Sequence, residues 1–305
     1  MNRRTMIGGV GGALVVAGTT AYFFSDRENL SRADIKPEGD DGGTLAPDEA
    51  RILLLASLAP SGHNTQPWFV EAVAPYHFVI GNDNRRWLPA VDPNQRETVL
   101  SLGAFVQNLE YAANDLGYVC RWNLLATTNQ HERVIEVKLA KSTKNPFDAG
   151  AMESRRTVRS HFLGNALTTK DVAHLVDGEP DFVHYLPTGS KESGFINEQT
   201  IEANRLQSHR DPAQRELANW IRFSSENAGK HRDGLTTASM EIEGVSGFVV
   251  RNFYGERDVM KADFRKRGID QVVKVVWESA VWIVITSADS SVAALLDTGR
   301  RMELL

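Results

Sequence analysis

The segment Ala59-Pro60-Ser61-Gly62-His63-Asn64-Thr65-Gln66-Pro67-Trp68 reads as a helix end, a polar loop and the start of a strand. Pro60 ends the preceding helix, because its ring clashes with the turn before it and it has no N–H to donate. The residues between the two prolines are small or carry amides. They expose backbone groups, the Ser61 hydroxyl and the Asn64 and Gln66 amides together. Such a cluster suits a ligand with hydroxyls and polar ring edges. Pro67 and Trp68 then fix the path into the next strand.

Upstream of this loop, Pro47 suits a first helical position, Asp48 and Glu49 suit the positive end of a helix dipole, and Ile52, Leu53, Leu55, Ala56 and Ala59 form one apolar face. Downstream come strand-like runs at 68–73 and 77–80, a helix from about Glu97 to Leu116, and strands near 121–125 and 134–139. Lys144-Asn145-Pro146 is a natural break. Beyond it, Thr168 and Asp171 have the spacing of a capping box for a helix over 170–176. A long polar helical stretch covers roughly 197–225, and 275–287 reads as an almost unbroken apolar strand. At 305 residues and 42% hydrophobic, the chain is long enough for two cores. The pattern therefore predicts an α+β protein in two units, 47–145 and 146–305. Asp297 to Leu305 keep a helical pattern with no Gly or Asn stop, which points to a second unit truncated at its C-terminus.

The first 24 residues belong to neither unit. Asn2-Arg3-Arg4-Thr5 precedes an uncharged run, Met6 to Phe24, which is the layout of an export signal or an anchor. The adjacent arginines resemble a twin-arginine signal, with Asn2 and Met6 in place of its commoner residues. At ~1.5 Å per residue the run just reaches across a hydrocarbon core of ~30 Å. Five glycines weaken the anchor reading, and Thr19-Thr20-Ala21 offers a cleavage site, while Tyr22-Phe23-Phe24 suits the end of a span at a membrane interface. The expectation is an exported protein, periplasmic or membrane-anchored, whose only membrane contact runs through residues 6–24. Residues 25–46, polar and acidic, read as a linker.

Composition excludes several functions. The net charge is −5 and the basic residues are scattered, so nucleic acid is not an expected partner. The eight histidines lack paired spacing, which argues against a metal site. Cys120 is the one cysteine, expected to fill a core position. Ser246 lacks the flanking pattern of a nucleophile elbow, so a hydrolase is not expected.

A second segment opens the second unit: Arg155-Arg156-Thr157-Val158-Arg159-Ser160-His161-Phe162. Planar guanidinium groups bind phosphate bidentately. The loop at 59–68 closely resembles the flavin-binding loop of the nitroreductase superfamily, and this arginine segment resembles the Arg-Arg-Ser-x-Arg-x-Phe opening of the same superfamily, with Thr157 in place of Ser. Typical members carry the arginine segment first and form homodimers. Here the order is inverted and each unit carries one segment, which resembles the tandem nitroreductase-like proteins of the Acg type. Arg86 to Pro93, Ser101 to Ala104, Gln107 to Leu109, Asp233 to Leu235 and Trp282 to Ser287 look like the same group.

The resemblance implies an α+β nitroreductase-like fold whose two halves form a monomeric pseudo-dimer around one composite FMN site. Pro60, Ser61, Gly62, Asn64 and Gln66 would supply one side of it, and Arg155, Arg156, Thr157 and Arg159 the other. It implies an FMN-dependent oxidoreductase that passes electrons from NAD(P)H to a nitroaromatic, quinone or similar small acceptor. The cofactor would carry the chemistry, so no catalytic side chain is singled out. His63 either contacts the flavin or fills the loop. Family members carry further basic phosphate ligands near the C-terminus, beyond residue 305. The alternative is a flavin-binding or flavin-sequestering protein without turnover, with a polar insert at about 189–234 as a lid over the cleft.

Overall fold

The structure, a computed structural model, describes residues 25–28, 30, 45–176 and 178–305. The export or anchor pattern of residues 1–24 and most of the expected linker lie outside the described residues. Among the described residues no helix is long and apolar enough to cross a membrane. The architecture is mixed α+β.

Helix α1 (Pro47–Ala56) begins as its sequence dictates. Glu49 turns back to accept from the backbone N–H of Ala46 at 2.7 Å and also from that of Tyr76 at 2.5 Å, so one carboxylate ties the helix start to the first hairpin. That hairpin joins β1 (Trp68–Ala74) to β2 (His77–Asn82). With β3 (Tyr118–Leu124) and β4 (Arg133–Lys141) they make an antiparallel sheet in the order β1-β2-β4-β3. Helix α2 (Arg96–Asp115) crosses this unit, and its Val99, Leu102, Phe105, Val106 and Leu109 are buried in one cluster with Phe78, Ile80 and Val137 of the sheet.

The first unit is completed from the far end of the chain. Helix α11 (Val292–Leu304) buries Val292, Leu295 and Leu296 in the same core, which also takes Met152. Two glycines make the close approach possible. A Cβ on Gly103 would lie 2.1 Å from the Leu296 carbonyl oxygen, and one on Gly299 would lie 2.0 Å from that of Leu100. The core of 47–145 thus reaches across the Lys144–Pro146 break.

The second unit holds α3 (Ala149–Ser154), α4 (Thr169–Val176), β5 (Val183–Pro187), α5 (Lys191–His209), α6 (Asp211–Trp220), β6 (Ile221–Arg222) and α7 (Ser225–His231). It continues through β7 (Leu235–Thr236), α8 (Gly244–Phe253), α9 (Glu256–Val259), α10 (Ala262–Glu278) and β8 (Val281–Ile285). Strands β5 and β8 pair antiparallel, and β6 and β7 form a short parallel pair. Its own buried cluster is small: Ala218, Ile221, Leu235 and Val259. The Thr168–Asp171 capping box forms, with Thr168 N donating to Asp171 at 2.9 Å and Asp171 N to the Thr168 hydroxyl at 3.2 Å.

Two expected elements differ. The helical stretch at 197–225 is broken at Arg210, which is extended, because Pro212 restarts a helix and cannot continue one. The apolar run at 275–287 is not one strand. Its first residues finish α10, where Val272, Val273 and Val276 turn inward while Lys274 and Trp277 face solvent, a helical rather than an alternating period.

Candidate functional site

The 59–68 loop is backbone-strained. His63, Asn64 and Gln66 have φ of 47, 53 and 52°, in the left-handed region that non-glycine residues avoid. The second unit holds them there. Asn64 accepts from Gly234 N at 2.9 Å and donates its side-chain amide to the Gly234 carbonyl at 3.0 Å. Gln66 donates its side-chain amide to the Arg232 carbonyl at 2.8 Å, while its backbone N–H donates to the Ser61 hydroxyl at 2.9 Å. The amide NH2 groups read from the sequence as ligand contacts are therefore engaged in clamping residues 232–234.

Charge reinforces the clamp. Arg86 donates to the Thr65 carbonyl at 2.8 Å and to Asp233 at 2.9 Å. The other oxygen of Asp233 takes the Arg222 fork, at 2.9 and 2.7 Å. Asp233 and Arg222 are nearly buried, so the pair costs desolvation and stands because both charges are fully matched. Gly234, with φ of 74° and space for no side chain (a Cβ would meet the Trp220 carbonyl at 2.4 Å), lets the segment 232–234 turn beneath the loop.

Beside this seam lies a cavity of about 670 Å³. Pro60, Ser61 and Asn64 form one wall and residues 153–161 a second, including Arg155, Arg156, Thr157 and Arg159. The two segments singled out in the sequence thus face one space. Gly62 and Gln66 do not line it. Gly62 lies against the Glu97 carboxylate, 2.8 Å from where its Cβ would be, and Gln66 borders an adjoining cavity of about 300 Å³. None of the 670 Å³ cavity's lining falls in the polar insert at 189–234, so the expected lid does not lie on it.

The arginines divide their tasks. Arg155 donates to the Leu58 carbonyl at 2.9 Å and has Glu303 at 3.9 Å, which pins the segment to the end of α1. Arg159 donates from Nε to the Ser239 carbonyl at 3.0 Å and from its backbone to Glu241 at 3.0 Å. Burial lowers the Arg159 pKa from its ordinary value, and Glu241 opposes that shift. Arg156 and Thr157 are exposed on the cavity and make no side-chain hydrogen bond with any described residue. His63 is held neutral: burial, and then the nearby Arg159 charge, push its pKa below the usual 6.5. Its Nε2 is buried without a hydrogen-bond partner among the described residues.

Of a third wall, Leu235, Ala238, Ser239, Glu241 and Glu243, only Leu235 lies in a stretch singled out in the sequence. Glu241 accepts from the Ser160 hydroxyl at 2.6 Å as well as from Arg159 N, and the Ser160 bond leads in holding its carboxyl below the usual range. Its φ of 56° is one that Glu seldom adopts, so no local residue preference announces the turn. The one signal was the polar run bracketed by Gly234 and Gly244. Among the described residues no cluster of His, Cys, Asp or Glu is arranged to hold a metal ion. Comparison of the chain with models of protein families and with curated proteins returned no match.

Proposed function

We propose that this chain is an FMN-dependent oxidoreductase of the nitroreductase type, a monomeric pseudo-dimer with one composite site between its two halves. The observation that carries the reading is the shared cavity: segments far apart in sequence, each resembling half of a flavin site, line the same space. Its volume of about 670 Å³ falls within the range of small-molecule pockets. Arg156 offers a guanidinium with no hydrogen bond spent on any described residue, which suits a phosphate. The acids on the cavity do not oppose this fit, since Glu241 already accepts from Ser160 and Arg159.

A bound FMN would supply the redox chemistry between NAD(P)H and a nitroaromatic, quinone or similar acceptor. The protein's part is binding and charge. Ser61 accepts from Gln66 N, which leaves its O–H free to donate to a sugar hydroxyl, and Asn64, with its NH2 held by Gly234, leaves its Oδ1 to accept. Arg156 would bind the phosphate, and Arg159, fixed by Ser239 and Glu241, would add positive charge that favours an anionic reduced ring. Arg155 would act through the position of its segment. Export through the N-terminal arginine pattern fits a protein that loads its cofactor before crossing a membrane.

The test is the visible spectrum of the purified full-length protein after loading with FMN. Retained flavin that bleaches with NAD(P)H and recovers its colour with a nitroaromatic or a quinone is the expected result. Flavin that is retained but never bleached would make the protein a flavin binder without turnover, and no retained flavin would sink the reading. Arg156→Ala should weaken FMN binding by roughly tenfold or more while leaving the fold intact.

A further inference from the structure

Helix α8 half-buries Phe248 and Val250 and yet shows a second apolar stripe to water. A surface helix buries its apolar stripe and shows its charges. Here Gly247 is buried and the Arg251 side chain is only 7% exposed, while Val245, Val249 and Phe253, spaced i, i+4 and i+8, are 81, 37 and 72% exposed. The helix cannot simply roll to hide the stripe. A Cβ on Gly247 would stand 2.4 Å from the Ile242 carbonyl oxygen, so this face is fitted tightly to the preceding turn. Arg251 donates to the Thr237 hydroxyl at 3.2 Å and has Asp26 at 3.8 Å.

Asp26 adds the second observation. Its backbone N–H donates to the Asn252 side chain at 2.7 Å, its carbonyl accepts from the same amide at 2.9 Å, and its carboxylate accepts from Ser225 N and the Ser225 hydroxyl at 2.5 and 2.7 Å. The chain at residue 26 is thereby fixed on α8, next to Phe253. The uncharged run Met6–Phe24 ends two residues earlier. Two residues of chain, a reach of ~7 Å at most, separate the end of that run from the fixed point.

We infer that the Val245–Val249–Phe253 stripe of α8 lies on a lipid bilayer, held there by residues 6–24 retained as an anchor. A bilayer entered at Phe24 has its interface at the level of α8, with Tyr22, Phe23 and Phe24 as the interfacial aromatics. The stripe then sits among headgroups and upper acyl chains, where exposed Val and Phe gain free energy. The inference does not rest on flavin binding, so each reading can fail alone.

The experiment uses the full-length chain in phosphatidylcholine vesicles, with an environment-sensitive dye placed on Phe253→Cys or, separately, Val245→Cys. Cys120, which is only half-buried, is replaced by Ala in both variants, so that the introduced thiol alone takes the dye. Both positions are exposed, so neither change threatens the fold. Lipid carrying a spin label should cut the emission of both dyes roughly twofold or more, because the helix lies flat on the surface. Quenching at 253 but not at 245 would mean mere tethering and would overturn the inference. So would dyes shielded from water yet unquenched by the labelled lipid, the mark of a second copy or of residues 6–24 folded onto the stripe. Release of residues 6–24 on maturation would overturn it as well.

Discussion

Strand β2 and strand β8 are both apolar, yet they live in different surroundings. In β2, Phe78 and Ile80 are fully buried beneath α2, while no residue of Val281-Trp282-Ile283-Val284-Ile285 in β8 is fully buried. The same contrast runs through the units: a large continuous core around the four-stranded sheet, and four buried residues in the second cluster. Composition does not explain it. The second unit lends its last helix to the first, and keeps Phe195, Leu206 and Trp277 exposed. The candidate cavity therefore has one wall on a well-packed body and two on a thinly packed one. Local opening on the second side is correspondingly cheaper, and that is the side on which ligand binding should order the chain.

The largest effect expected from this arrangement is on a fragment of residues 47–145. It lacks Val292, Leu295 and Leu296, each contributing about 1.5–3 kcal/mol by burial. Their sum approaches the whole stability of an ordinary domain, about 5–15 kcal/mol. The fragment should show no cooperative urea transition and no FMN binding; a cooperative transition would dissolve the distinction between lender and borrower. Next in size is Phe105→Ala, at about 3–5 kcal/mol by urea midpoint, against about 2 kcal/mol for Leu235→Ala in the small cluster. Equal losses would mean that the two cores are equally tight. Below these comes Gly299→Ala. Its new methyl must displace the Leu100 carbonyl, so a loss of about 1–3 kcal/mol is expected, outweighing the helix propensity gained.

The first unit was legible in the sequence because its signals agreed with its burial. Pro47 with Asp48 and Glu49 opened a helix, strand-like runs marked the hairpin, and the long helix at 97–116 fell within a residue of its observed ends. The second unit misled where burial is weak. The valines of 272–276 carry strand propensity, but it is the helical spacing of their buried faces that decides, and in a thin core that spacing is faint. Strand β5, α8 and α10 gave no period strong enough to assign. At the site, the two motifs were legible as chemistry but not as geometry. That Asn64 and Gln66 spend their amides on residues 232–234 depends on which segment lies opposite, which local sequence does not encode. Glu241 was hidden for the same reason.

The smallest effect expected lies at the seam itself and concerns protons. His63 is half-buried near Arg159, and both desolvation and that charge hold its pKa below 6.5 in the folded protein. In the unfolded chain the ring titrates near its ordinary value of 6.5. Between those two values the unfolded state binds more protons than the folded one, so stability rises with pH there. Read the other way, stability is lost as pH falls from about 7 towards the folded pKa, and the loss stops once pH is below it. One group can contribute a slope of at most ~1.36 kcal/mol per pH unit. His63→Gln should flatten the stability profile over this window and leave stability above about pH 8 close to that of the parent, as urea midpoints from pH 5 to 8 would show. A parent that gains stability on acidification, with the gain removed by the substitution, would mean that His63 takes up a proton in the folded state. The loop would then present a second cation beside Arg159 in place of a neutral ring. Phosphate or FMN should oppose the effect, since an anion in the cavity stabilises the protonated ring; the acid-side loss should therefore shrink when FMN is bound, and only in protein that keeps His63.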